Sequence, residues 1–286
     1  MLELPFIRQR VAIVGLGLMG GSLALALRGR CATILALEPN PQSIALARQN
    51  LIVDLVSDDP REILPQADII VLAAPVRSIL EMIPRLPEWT AGNALVVDLG
   101  STKMEICAAL AGLPTRFEAV GGHPMCGKEF SSLAYADANL YQMAPFALCA
   151  LPATSSEARG LAETLALEVG AHPLWLDALT HDRWVAATSH LPYVLANALA
   201  AATPAEAAPL VGPGLRSSTR VAGSSLKVMN DILLTNRCEV LAALTGLQQR
   251  LDSIRAVLES GDEQSLLTAL AAGETAYRQV VLAGGR

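Results

Sequence analysis

Residues 10–29, RVAIVGLGLMGGSLALALRG, hold a short apolar strand pattern, a G-x-G-x-x-G turn at Gly15, Gly17 and Gly20, and then a helical run. A glycine turn in that setting lets a ligand approach the backbone closely, and the free N–H groups of the helix start can receive phosphates. The stretch therefore predicts the first βα unit of a dinucleotide-binding domain. Gly15, Leu16, Gly17, Leu18, Met19 and Gly20 are the candidate residues along the cofactor. Glu38 ends the next strand pattern, eighteen residues past Gly20. A carboxylate there can accept from both ribose hydroxyls, and it repels a 2′-phosphate. No arginine follows in Pro39-Asn40-Pro41, so NAD is expected over NADP.

The first half continues the alternation. Strand-like runs stand at 32–39, 67–75, 93–100, 117–122 and 146–152, with helical patterns between them such as 101–113. Continuous apolar strands separated by helices point to a parallel sheet covered on both faces. After HPLWLD (172–177) the pattern becomes almost wholly helical, with apolar residues at helical spacing over 219–260 and again over 261–282. The expected architecture is α/β plus all-α: a Rossmann-type, doubly wound parallel sheet domain over 1–177, followed by a helical dimerisation domain over 178–286. The broad apolar coverage of the last helices fits a second copy as partner, hence a homodimer.

Composition removes other classes. The chain has 286 residues, 52% of them hydrophobic, and a net charge of −6, which argues against a nucleic-acid partner and leaves room for a small-molecule substrate. Cys31, Cys107, Cys126, Cys149 and Cys238 are odd in number and scattered, as expected for reduced thiols in a cytoplasmic protein. The uncharged stretch 184–203 is interrupted by His190, Pro192 and Asn197, so a buried helix is expected and no membrane span. No metal-ligand spacing occurs and none is expected to bind.

In a doubly wound sheet, ligands sit beyond the C-terminal strand ends. Three such ends carry chemistry: AAPV (73–76, with Pro75 and Val76), DLGSTK (98–103, with Ser101) and GGHPMCGKE (121–129). All three should face the nicotinamide half of the cofactor. Histidine is scarce, with four in the chain, and His123 stands at one of these ends on a strand adjacent to that of Ser101. Gly121 and Gly122 are expected to turn the chain sharply off the strand, and Pro124 to stiffen the exit.

GLGLMGGSLA, VLAAPV, DLGSTK, GGHPMCGKE, THDRW with SHLPY, and LRSSTRVAGSSLKVMNDILLTNR occur in order from about residue 10 to 255. In these the chain resembles the prephenate/arogenate dehydrogenases of tyrosine biosynthesis. The resemblance implies an NAD-dependent oxidative decarboxylation of a cyclohexadienol, prephenate or arogenate. It implies that His123 takes the proton of the 4-hydroxyl, that Ser101 holds that hydroxyl and the histidine, that Arg220 binds the substrate carboxylate, and that Glu129 stands at the site entrance. Many members read SHLPH where this chain reads SHLPY, so Tyr193 takes the place of a substrate-contacting histidine and cannot carry its charge. His190, in the same motif, is a further substrate-side candidate, although a helix-packing role is the first expectation for it. His181 with Asp182 reads as a helix-start pair, and His172 as a strand-end residue. Two other readings stay open: a β-hydroxyacid dehydrogenase of the same plan, for which Lys227 lies in the wrong setting, and a dinucleotide-sensing protein without turnover.

Overall fold

The computed structural model describes residues 5–128 and 132–282. Eight strands form one sheet: β1 Arg10–Val14, β2 Thr33–Leu37, β3 Leu55–Ser57, β4 Ile69–Leu72, β5 Ala94–Asp98, β6 Phe117–Pro124, β7 Pro145–Ala150 and β8 His172–Trp175. Their order is β3-β2-β1-β4-β5-β6-β7-β8. The chain reverses direction across the sheet between β1 and β4, and this is the switch point at which α/β sheets open a crevice.

Apart from Arg10 and Asp98 at their ends, the central strands β1, β4 and β5 are apolar throughout because both faces are covered. Side chains alternate between the faces: Val11, Ile13, Ile69 and Val71 enter one core, while Ala12, Val14, Ile70 and Leu72 enter the other. Helices α1 Leu18–Leu27, α2 Pro41–Gln49, α3 Val76–Met82, α4 Met104–Ala111 and α5 Ser156–Glu168 cover the sheet. Asn40 caps α2 by accepting from the N–H groups of Gln42 and Ser43.

The sheet departs from the expected one in three places. β7 runs antiparallel to β6, since the connection between them contains only the one-turn segment Leu133–Tyr135 among its described residues and no crossover helix. β3 and β8 add pairings at the two edges that their three and four residues were too short to announce. Finally, Gly121 and Gly122 make no turn. β6 passes straight through them, pairing Gly122 with Leu148 and His123 with Ala147. The glycines serve close packing instead: an added Cβ would lie 2.7 Å from Cys107 Sγ at Gly121 and 2.4 Å from Asp98 O at Gly122.

Beyond Val97–Val120 the backbone pairing of β5 with β6 stops, and side chains take over. Asp98 accepts from the N–H groups of Gly122 (3.0 Å) and Gly100 (2.7 Å). Lys103, fully buried, pairs with Asp98 and donates to the carbonyl of Gly122 at 2.7 Å. The backbone N–H and carbonyl of Gly122, the residue before His123, are thus both held by one buried ion pair.

The chain after β8 is helical, as expected. α6 Ala178–Val185, a π turn over Ala186–His190 and α7 Leu191–Ala202 lead to α8 Pro213–Thr219 and a 3₁₀ turn, Arg220–Gly223. Pro192 falls in the first turn of α7, directly after the π turn. Then come α9 Leu226–Thr235, α10 Arg237–Ser260 and α11 Glu263–Ala276. The periodic stretch 219–260 breaks at Asn236, whose buried side chain donates to the Asp182 carbonyl at 2.7 Å. Residues Met1–Arg237 form one compact unit and Cys238–Arg286 a second. No described helix is long and apolar enough to cross a membrane.

Replacing Asp98 by Ala leaves the Lys103 ammonium buried and unpaired, so a loss of about 3–5 kcal/mol is expected. Urea unfolding of Asp98→Ala beside the double variant Asp98→Ala/Lys103→Met checks this. The double variant should recover most of the loss, and a single variant as stable as wild type contradicts the clamp.

Candidate active site

The glycine turn after β1 is shaped by backbone contacts. Gly15 has φ +99°, and a Cβ there would meet Ala73 O at 2.7 Å. A Cβ on Gly20 would overlap Gly15 O at 1.9 Å, so helix and turn close together only with glycine. Tyr141, fully buried, donates its hydroxyl proton to the Met19 carbonyl at 2.7 Å and fixes the first turn of α1. No side chain caps the start of α1, which leaves its N–H groups available to an anion. Glu38 is buried at the end of β2 and accepts from Leu16 N–H (2.6 Å) and Asn40 N–H (2.8 Å). Its carboxylate is therefore fixed beside the glycine turn.

A cavity of about 280 Å³ opens beside that turn, walled by Gly17, Leu18, Met19, Pro75, Val76 and Ser101, with Val228 and Ile232 of α9 opposite. Six residues from three separate sequence motifs are thereby brought to one space. Helix α9 is held by an ion pair from Arg77 to Asp231 (3.4 Å) and by a hydrogen bond between the Thr102 and Thr235 hydroxyls (2.9 Å). The free helix start, the fixed carboxylate and the cavity fit a dinucleotide with its adenosine half at Glu38 and its nicotinamide half by Ser101.

His123 does not line that cavity. It is buried in β6, four residues ahead of Gly127, which does line it. The hydrogen bond that the structure gives His123 runs not to Ser101 but from its Nδ1 to His181 Nε2, at 2.9 Å with the rings edge to face. His181 Nδ1 in turn meets Asp182 Oδ1 at 2.8 Å. Asp182 also accepts from the N–H groups of Lys103 (2.7 Å) and Met104 (2.9 Å), capping α4 from another helix. The pair His181–Asp182 thus lies beside His123 in the buried interior. A histidine–aspartate dipeptide at a helix start looks like a local cap, and only the tertiary fold shows what it reaches. Lys103 and Asp98, inside the DLGSTK motif, were likewise not singled out by sequence.

Burial holds His123 well below the usual histidine range, and the neighbouring His181, Lys103 and His190 push the same way. It is therefore neutral at neutral pH and able to accept a proton. Burial also lowers His190, to about 4. His190 is inside the helix packing with its Nδ1 3.2 Å from Asn236 Nδ2. Tyr193 is buried one turn along on α7. Arg220 is exposed, on the 3₁₀ turn that packs against α7. Glu129 lies outside the described residues. His172 is exposed at the start of β8 and Lys227 exposed on α9.

The two depressed histidines make stability depend on pH. The unfolded chain binds a proton on each near pH 6.5 while the folded chain does not, so their contribution is complete above about pH 6.5 and is lost as pH falls. Urea midpoints are expected to drop between about pH 6.5 and the value of about 4 held by His190. His190→Gln should flatten part of that slope. A midpoint independent of pH in this window contradicts burial of neutral imidazoles.

Residues 23–174 match the family model described as prephenate dehydrogenase, nucleotide-binding domain, and residues 177–272 that of the prephenate dehydrogenase dimerization domain. The prephenate dehydrogenase of Bacillus subtilis is 29% identical over 271 residues, covering 91% of this chain and 72% of the relative. The cyclohexadienyl dehydrogenase of Zymomonas mobilis is 28% identical, covering 91% and 92%. Among solved structures, prephenate dehydrogenase from Aquifex aeolicus in complex with hydroxyphenyl propionate and NAD+ superposes with TM-score 0.88 at 29% identity, covering 95% of this chain and 98% of that one. Arogenate dehydrogenase of Synechocystis gives 0.83 at 26%, covering 94% and 99%. A 3-hydroxyisobutyrate dehydrogenase from Mycobacterium tuberculosis, at TM-score 0.52 and 14% identity, shares the fold alone. The chain is a dehydrogenase and belongs to the prephenate dehydrogenase family.

Proposed function

We propose that the chain catalyses the NAD-dependent oxidative decarboxylation of prephenate, of arogenate, or of both. The observation that carries this reading is His123 itself, buried at the end of β6 and held by that burial below the usual histidine range, just ahead of the loop whose Gly127 and Lys128 line the cavity. Bound NAD would supply the hydride acceptor. The start of α1 would hold its pyrophosphate, Glu38 the adenosine ribose, and Pro75, Val76 and Ser101 the nicotinamide end.

His123 accepts the proton of the substrate's 4-hydroxyl as the hydride leaves C4, and Ser101 orients that hydroxyl. The carboxylate bond to the ring then breaks, CO2 departs, and its electron pair completes the aromatic ring. The proton held by His123 returns to the phenolic oxygen. Prephenate gives 4-hydroxyphenylpyruvate in this way, and arogenate gives tyrosine. Aromatisation supplies the driving force, so the protein's task is chiefly orientation. Arg220 clamps the ring carboxylate through paired N–H bonds, with Glu129 at the entrance and Tyr193 and His190 on the substrate side.

The functional division falls at residues 177/178, with 178–286 serving both substrate binding and assembly. Leu251, Leu258, Leu267 and Leu270 of α10 and α11 are more than half exposed, and a second copy of the chain covers them in a homodimer.

Reduced nicotinamide should appear when the protein meets NAD with prephenate or with arogenate, assayed side by side. His123→Asn should lower kcat by at least about 10²-fold, the usual worth of a positioned base, with NAD affinity nearly unchanged. No turnover of either substrate by the wild-type protein sinks the reading. An active His123→Asn variant removes the base assignment.

A further inference from the structure

We propose that His181 and Asp182 are positioning residues that fix the tautomer and direction of His123, so that its Nε2 lone pair is presented to the substrate hydroxyl. The inference rests on the function proposed above and deepens it.

Its basis is a chain of hydrogen bonds whose direction is set at one end. The Asp182 carboxylate has no proton to give, and it already accepts from two backbone N–H groups at the start of α4. His181 Nδ1, 2.8 Å away, must therefore donate. With its single ring proton on Nδ1, His181 has a bare Nε2, which can only accept. Its partner at 2.9 Å, His123 Nδ1, must be the donor. A neutral His123 with its proton on Nδ1 keeps Nε2 free as a base. The logic is that of any base oriented by a second group that is itself oriented by a third.

The other ionisable groups around His123 do not compete for these bonds. From β5 and the loop after it, Asp98 and Lys103 are paired with each other and with the Gly122 peptide. From the π turn, His190 is bonded to Asn236. His181 and Asp182 are nearly inaccessible to solvent, at 1% and 0% exposure, so water does not replace either partner. The edge-to-face ring geometry adds a steric limit on rotation of the His123 ring.

The test is long-range ¹H–¹⁵N spectroscopy of the whole protein labelled with ¹⁵N-histidine. Only four histidines are present, and His172→Gln, His190→Gln and His123→Asn assign them. At pH 7.5 His123 and His181 are both expected as the Nδ1–H tautomer. His123 found protonated on Nε2 overturns the proposal, whether or not the protein turns over prephenate or arogenate. In kinetics, His181→Phe should lower kcat by about 10²-fold, with KM for NAD within about twofold. His181→Gln, whose side-chain carbonyl reaches the place of Nε2, should restore a substantial part. Wild-type kcat in His181→Phe, or equal losses in the Phe and Gln variants, contradicts a positioning role. Failure of the wild-type protein on both substrates, with the Nδ1–H tautomers observed, counts against the proposed function and leaves the positioning intact.

Discussion

One buried carboxylate, Asp182, ties the site together. It sits on the first helix after the sheet, yet it caps the helix that follows β5 and carries the histidine that meets His123. A charge removed from water is tolerated only when several donors satisfy it. Asp182 therefore cannot move without uncapping α4, releasing His181 and exposing an unpaired charge. Its own carbonyl is held by Asn236, at the residue where the helical stretch after 219 breaks. The nucleotide-binding sheet and the helices behind it are in this way fixed to one another at the end of β6.

A second buried pair, Asp98–Lys103, does comparable work on β6. It grips the backbone N–H and carbonyl of Gly122 in place of the missing strand pairing, so His123 is set by its backbone as well as by its ring. His123 is consequently held from two sides, by its backbone neighbour and by its ring partner. The positive charge of Lys103 also helps to keep His123 neutral.

How much of this was legible in the residues depends on the range of the interactions concerned. The glycine turn and Glu38 were readable because strand, turn and helix are contiguous, and each residue has a local reason to be what it is. The sheet was readable where strands are long and buried on both faces. It was not readable at β3 and β8, whose few residues gain strand form from their neighbours, nor in the direction of β7, which depends on a connection without a helix. Gly121 and Gly122 were read as a turn, because glycine permits one. The structure uses them for close approach to Cys107 and Asp98, a demand made by residues far along the chain. His181 and Asp182 were passed over for the same reason. Their partners are 58 and 79 positions away, and nothing in their immediate neighbours reports that.

The central claim is that the His123 ring has two distinct faces, Nδ1 turned inward to His181 and Nε2 turned to the reacting hydroxyl. A crystal structure with NAD and 4-hydroxyphenylpyruvate measures this most directly. The account predicts the phenolic oxygen about 2.6–3.2 Å from His123 Nε2, the reach of a general base, with the Nδ1 contact to His181 retained. A phenolic oxygen beyond that reach, or a His123 ring turned so that Nδ1 faces the ligand, would contradict it.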